Sequence, residues 1–123
     1  MSERDPKELG IPNINFSFDV VDDERKIKFK QQRLERGFDD SETWNLDYTI
    51  ARFIVPRLEC YVDIAESHIL RSSEQIEKTN KALVALKTII DDGDGNNVDS
   101  KVTDDDIAEG LHCLADIFRS LWW

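Results

Sequence analysis

Two rhythms of apolar residues divide this chain. Ile14, Phe16, Phe18 and Val20 alternate with polar residues, and Ile27 and Phe29 resume the alternation after the turn-forming run Asp22-Asp23-Glu24-Arg25. Alternation with period two marks a half-buried strand, so the first run predicts a short β segment. Over residues 28–36 the Lys, Gln, Arg, Leu and Glu content favours a helix, closed by Gly37 as its C-terminal cap. Residues 1–13 contain Pro6, Gly10 and Pro12, follow no period and predict an irregular arm.

From Trp44 onward the rhythm becomes helical. Trp44, Tyr48, Ala51, Val55, Leu58, Val62, Ala65 and Ile69 recur at alternating steps of four and three, and a second row of Ile50, Ile54, Tyr61 and Ile64 widens the stripe. Asp39, Asp40, Ser41 and Glu42 stand before it, where either aspartate can cap a helix and Asp39 with Glu42 has the spacing of a capping box. Pro56 falls inside the stripe and predicts a kink or a break near Val55. A second helix is expected from about Ser73 to Ile90, with Ile76, Thr79, Leu83, Leu86 and Ile90 on its seam. It ends in the acidic, turn-forming run Asp91–Asn97. A third helix begins after Thr103, carries Asp104, Asp105 and Asp106 in its first turn, and has the stripe Ile107, Leu111, Leu114, Phe118, Leu121. The expected architecture is all-α: a bundle of three to four long helices over residues 38–123, with Leu58, Val62, Leu111 and Phe118 in its core and an acidic interhelical loop. An arm over residues 1–37, with a short strand and helix, precedes it.

Length and charge sharpen this picture. A chain of 123 residues suffices for one core, and 40% hydrophobic residues are enough to fold it. The net charge is −10, and it is unevenly placed: residues 1–37 hold eight Lys/Arg and eight Asp/Glu, whereas residues 38–123 hold eight and eighteen. Such a body repels nucleic-acid phosphates and favours a protein partner with a basic surface. The basic stretch Arg25, Lys26, Lys28, Lys30, Arg33 and Arg36 is better read as offsetting acidic groups, within the fold or across a homodimer, than as a phosphate-binding strip. No apolar run is long enough to span a membrane and no apolar leader opens the chain, which predicts a cytoplasmic protein. Cys60 and Cys113 fall in apolar helical patterns and read as small buried thiols; with only His68 and His112 beside them, a zinc site is not expected.

Three groups of residues carry candidate chemistry. Asp92, Asp94, Asn96 and Asp99 offer oxygens from one loop, as calcium requires, yet Asn97 and Thr103 stand where an EF-hand places its glycine and bidentate glutamate, so a solvated loop is the favoured reading. Glu59, Asp63 and Glu66 share one helix face, and Asp104, Asp105 and Glu109 are available from another helix. Facing carboxylates of this kind hold magnesium in all-α nucleotide phosphohydrolases, although a charged helix row is more often a solvated face. No cofactor is expected beyond these weak calcium or magnesium candidates. Trp44 is expected in the core with its indole N–H directed to Asp47 or Asp40. Trp122 and Trp123 point about 100° apart on a helix, so one can pack inward and the other remain for an interface, together with Asp104, Asp105 and Asp106.

The run from Arg33-Leu34-Glu35-Arg36-Gly37-Phe38-Asp39-Asp40-Ser41-Glu42-Thr43-Trp44-Asn45-Leu46-Asp47-Tyr48 through Ile50-Ala51 to Ile54-Val55-Pro56-Arg57-Leu58 resembles a motif of small proteins of tailed bacteriophages. Glu109-Gly110-Leu111, Ala115, Phe118 and Leu121-Trp122 are similar to the closing helix of the same proteins. No agreed activity attaches to them, so the resemblance implies a phage origin, with the host cytoplasm as the place of action, and no mechanism. Taken together, the expected function is that of a phage accessory protein binding a host or defence protein through an acidic helical face. The alternatives are a small magnesium-dependent nucleotide phosphohydrolase and a virion or assembly component.

Overall fold

The computed structural model describes residues 4–68, 71–96 and 101–122. Among them lie four α-helices: α1 (Asp23–Arg36), α2 (Leu46–Ser67), α3 (Ser73–Gly93) and α4 (Asp104–Ile117). Two 3-10 turns, Asp40–Thr43 and Phe118–Ser120, precede α2 and follow α4. The all-α expectation holds, and no strand occurs among the described residues. The chain divides into two compact units, Met1–Phe53 and Ile54–Trp123, so residues 38–53 group with the arm.

In the first unit, Gly37 closes α1 in the left-handed conformation (φ 88°), with its N–H donating to the Arg33 carbonyl. Residues 14–20 run without regular secondary structure. Their alternation is nonetheless real: the backbone N–H groups of Phe16 and Phe18 donate to Glu42 Oε1 and Ser41 Oγ, both at 2.9 Å. Side chains of the 3-10 turn thus take the place of a partner strand. Phe16 is buried, with Arg52 stacked 5.1 Å from its ring centroid.

The 3-10 turn has the anticipated capping box. Asp39 accepts from Ser41 N–H, and Glu42 reaches back to accept from Asp39 N–H at 2.8 Å. Asp39 therefore caps this turn, Asp40 is its first residue, and α2 starts later, at Leu46. Trp44 is not a core residue. It is about half exposed, stacked on Phe18 at 6.0 Å and set edge-on to Phe29 at 5.9 Å.

One buried cation organises this unit. Arg33 on α1 donates through Nε and Nη2 to the two oxygens of Asp5, at 2.8 and 3.0 Å, and through Nη1 to Asp39 at 2.5 Å. Ser17 and Ser41 donate their hydroxyls to Asp39 as well. The Arg33 guanidinium holds the Asp5 carboxyl below its ordinary range. At Asp39 burial acts upward, and the donors Ser17, Ser41 and Arg33 outweigh it, so this carboxyl too is lowered. Both carboxylates are fully buried and Arg33 is nearly so. A bidentate, multiply donated arrangement of this kind is what allows charges to leave water.

In the second unit the core is apolar. Val55, Leu58, Val62 and Ala65 of α2 are buried, as the stripe requires, while Ile69 lies outside the described residues. Helix α2 runs through Pro56 as one element, so of the expected kink or break the break is not there. A proline removes one N–H donor, and the remaining ladder and the packed stripe carry the helix past it. Helix α3 opens on Ser72, which accepts from Gln75 N–H, and buries Thr79, Leu83 and Leu86 together with Ala82 and Ala85. Helix α4 opens on Thr103, with Asp106 completing a capping box.

Helices α3 and α4 approach closely at Gly110. A Cβ on Gly110 would lie 2.5 Å from Ala85 Cβ and 2.7 Å from the Lys81 carbonyl oxygen, so only glycine permits this approach. Consequently α4 buries Gly110, Cys113 and Ile117. Leu111 and Phe118, expected in the core, are 40% and 58% exposed, because the seam facing α3 is rotated away from them.

Candidate interaction surface

Helices α2 and α3 of the second unit enclose an open groove of about 610 Å³, lined by Ala65 and Glu66 of α2, by Arg71, and by Ile76, Glu77, Lys81 and Val84 of α3 among others. Its apolar floor is partly uncovered, with Val84 52% exposed. Both of its cations have partners outside the groove. Arg71 donates through Nε and Nη2 to the Ser120 carbonyl at 3.1 and 2.9 Å, and through Nε to Tyr61 Oη at 3.1 Å. It also lies 4.6 Å from the Trp122 ring centroid and donates to the Trp122 carbonyl. Lys81 pairs with Glu109 of α4 at 3.4 Å, and that carboxylate raises the lysine above its ordinary value. Exposed Glu66 and Glu77 line the groove beside these cations, and Glu77 also acts on Lys81.

The magnesium candidates of α2 lie at the surface. Glu59 is half exposed and pairs with Lys87 of α3 at 3.0 Å, Asp63 is exposed, and Glu66 lines the groove. Of the facing set, Glu109 is engaged by Lys81, and Asp104 and Asp105 are exposed; Asp106 beside them accepts from Thr103 N–H, which lowers its carboxyl. Among the described residues, no group of three or more His, Cys, Asp or Glu side chains is arranged to hold a metal ion. The calcium loop also differs from expectation. Helix α3 extends to Gly93, so Asp91 and Asp92 are helical, Asp94 is its C-cap, and Asn96 N–H returns to the Asp91 carbonyl. Asn97 and Asp99 lie outside the described residues. No family model, curated protein or solved structure matches the chain.

The remaining candidates divide between the two units. Trp122 is 66% exposed, stacked under Arg71, and Trp123 lies outside the described residues. Asp104 and Asp105 are exposed in the first turn of α4. Cys60 is an exposed free thiol, contrary to its expected burial, because it lies on the far side of α2 from the stripe; Cys113 is buried as expected. Most of the basic stretch is matched by carboxylates of the first unit: Lys30 with Glu8, Arg36 and Lys28 with Asp40, Arg25 with Asp22, and Arg33 with Asp5 and Asp39. Among the described residues, no helix is long and apolar enough to cross a membrane. The groove itself escaped the sequence reading. The available signal was the exposed Val84, apolar and off the seam of α3, beside Glu77 and Lys81.

Proposed function

We propose that this chain is a phage accessory protein that works by binding another protein, and that the acidic groove between α2 and α3 receives a basic segment of that partner. The observation that carries the reading is an apolar floor, Ala65, Ile76 and Val84, rimmed by Glu66 and Glu77 in a groove whose cations, Arg71 and Lys81, also hold partners outside it. Glu59 and Asp63 extend the acidic row along α2. An apolar floor supplies burial, and an acidic rim supplies register and attraction to lysine and arginine. The phage origin rests on the resemblance of residues 33–58 and of the closing helix.

The test is affinity capture from host lysate with the wild-type chain and with the double variant Glu66→Gln, Glu77→Gln, each washed at low and high salt. A stoichiometric basic protein held by the wild type, released by salt and lost from the double variant is the expected result, since salt screens such exposed pairs. Recovery of the same protein by both chains, or of bait alone from infected and uninfected cells, overturns the assignment to this groove.

A further inference from the structure

Helix α4 has two apolar faces, and α3 covers one of them. Gly110, Cys113 and Ile117 are buried against it. The other face carries Ala108, Leu111, Ala115 and Phe118, all exposed, with Ile107 and Leu114 half-buried at its edge. No formal charge interrupts it. Its charges are at the ends: Asp104 and Asp105 in the first turn and Arg119 after the last, all exposed. Tyr61 of α2 donates to the Ser120 carbonyl at 3.2 Å and pins the end of this segment, so the face is presented on a fixed element.

We infer that this face pairs with a second copy of the same chain, α4 against α4, in antiparallel order about a two-fold axis near Leu111. The argument is the face's complementarity to its own reverse. Asp104 precedes the point between Leu111 and His112 by as much as Arg119 follows it, about two helical turns in each direction. An antiparallel copy centred there brings Asp104 of one chain opposite Arg119 of the other, with Asp105 beside that pair, twice, while the two Leu111 side chains flank the axis. Ala108 and Ala115, three positions before and four after, meet each other across the axis and let the helices approach. A two-fold interface demands this reciprocity, residue i on j and j on i, and an unrelated partner does not. The surface is separate from the acidic groove, which contains no residue of α4.

The experiment is sedimentation equilibrium of the full chain across the micromolar range, which reads mass and is independent of any partner capture. The wild type is expected to approach twice the chain mass. Phe118→Glu and Leu111→Glu, both at exposed positions and each checked for unchanged circular dichroism, should weaken dimerisation about thirtyfold or more, as loss of an interface anchor does. Asp105→Arg and Arg119→Asp should each weaken it by up to about tenfold, and the two together should recover most of the loss, because the reversed charges meet again across the axis. A wild type that stays monomeric, or a dimer indifferent to both glutamate substitutions, overturns the proposal. A double reversal that binds no better than either single one overturns the antiparallel arrangement.

Discussion

The two units of this chain solve burial in opposite ways. In the first, the fully buried side chains include Asp5, Asp39 and Ser41, joined by the nearly buried Arg33 and Glu42; Phe16, Phe29 and Ala51 complete the set. Among the described residues of the second, the buried set is aliphatic apart from Cys113, and the buried polar side chains, Thr79 and Thr88, satisfy themselves within α3 by donating to the Gln75 and Val84 carbonyls, both at 2.8 Å. The first unit holds an irregular arm in place by directed bonds to one cation. The second gains its order from helix faces whose attraction has no direction, and relies on shape at one glycine. The lesson is that a segment without regular secondary structure needs specific acceptors for its N–H groups, and polar side chains supply them.

Removing the cation is the severest test of that contrast. Arg33→Met keeps the volume roughly and leaves Asp5 and Asp39 buried without their counter-charge. Loss of one partner of a buried pair costs about 3–5 kcal/mol. The expected outcome is loss of amide-exchange protection in α1 with α3 much less affected, read by hydrogen exchange on peptides from residues 23–36 and 73–93. Equal loss in both would show that the two units unfold as one.

The same contrast explains what could be read in advance. The seams of α2 and α3 were legible because a repeat of four and three admits one buried face, and even Thr79 obeyed it. The Asp39–Glu42 capping box was legible because its partners are three residues apart. By comparison, Arg33 and Asp5 are separated by 28 positions, and nothing local announces their pairing. The alternation of Phe16 and Phe18 was correctly an extended chain and wrongly a strand, since the pattern does not say whether the acceptors opposite are carbonyls or side chains. At α4 the richest apolar stripe misled: Leu111 and Phe118 outweigh Gly110 and Cys113 in hydropathy, yet closeness of approach decided which face met α3. Gly110 in mid-helix was the available signal, because glycine there costs about 1 kcal/mol against alanine and needs a packing reason. For the groove, no motif exists; two helices create it.

Gly110→Ala tests the shape-dependent half of the comparison. Helix propensity alone predicts stabilisation by about 1 kcal/mol. The new methyl would sit 2.7 Å from the Lys81 carbonyl oxygen, which is backbone and yields only if α3 moves. Overpacking of this kind costs about 1–3 kcal/mol, so net destabilisation is expected in thermal melts. A raised melting temperature would mean that the two helices part easily and that the close approach contributes little.

Acid should distinguish the units more gently. Asp5 and Asp39 are lowered in the folded chain, so the stability they contribute is fully present above the ordinary carboxyl value of about 4 and is lost as pH falls through their folded values. Arg33 is raised and stays charged throughout this range. In the described part of the second unit the lowered carboxyl is Asp106, exposed at the start of α4, where water already solvates the charge and protonation removes less. Between pH 6 and about pH 4 the effect is small, because few protons bind above the unfolded value. Below it, exchange protection of α1, corrected for the intrinsic rate, should fall before that of α3. Arg33→Met should flatten this difference, since the cation that lowers both carboxyls is gone. If α3 loses protection first, or if the variant keeps the wild-type acid response, the buried cation is not what ties the first unit to pH.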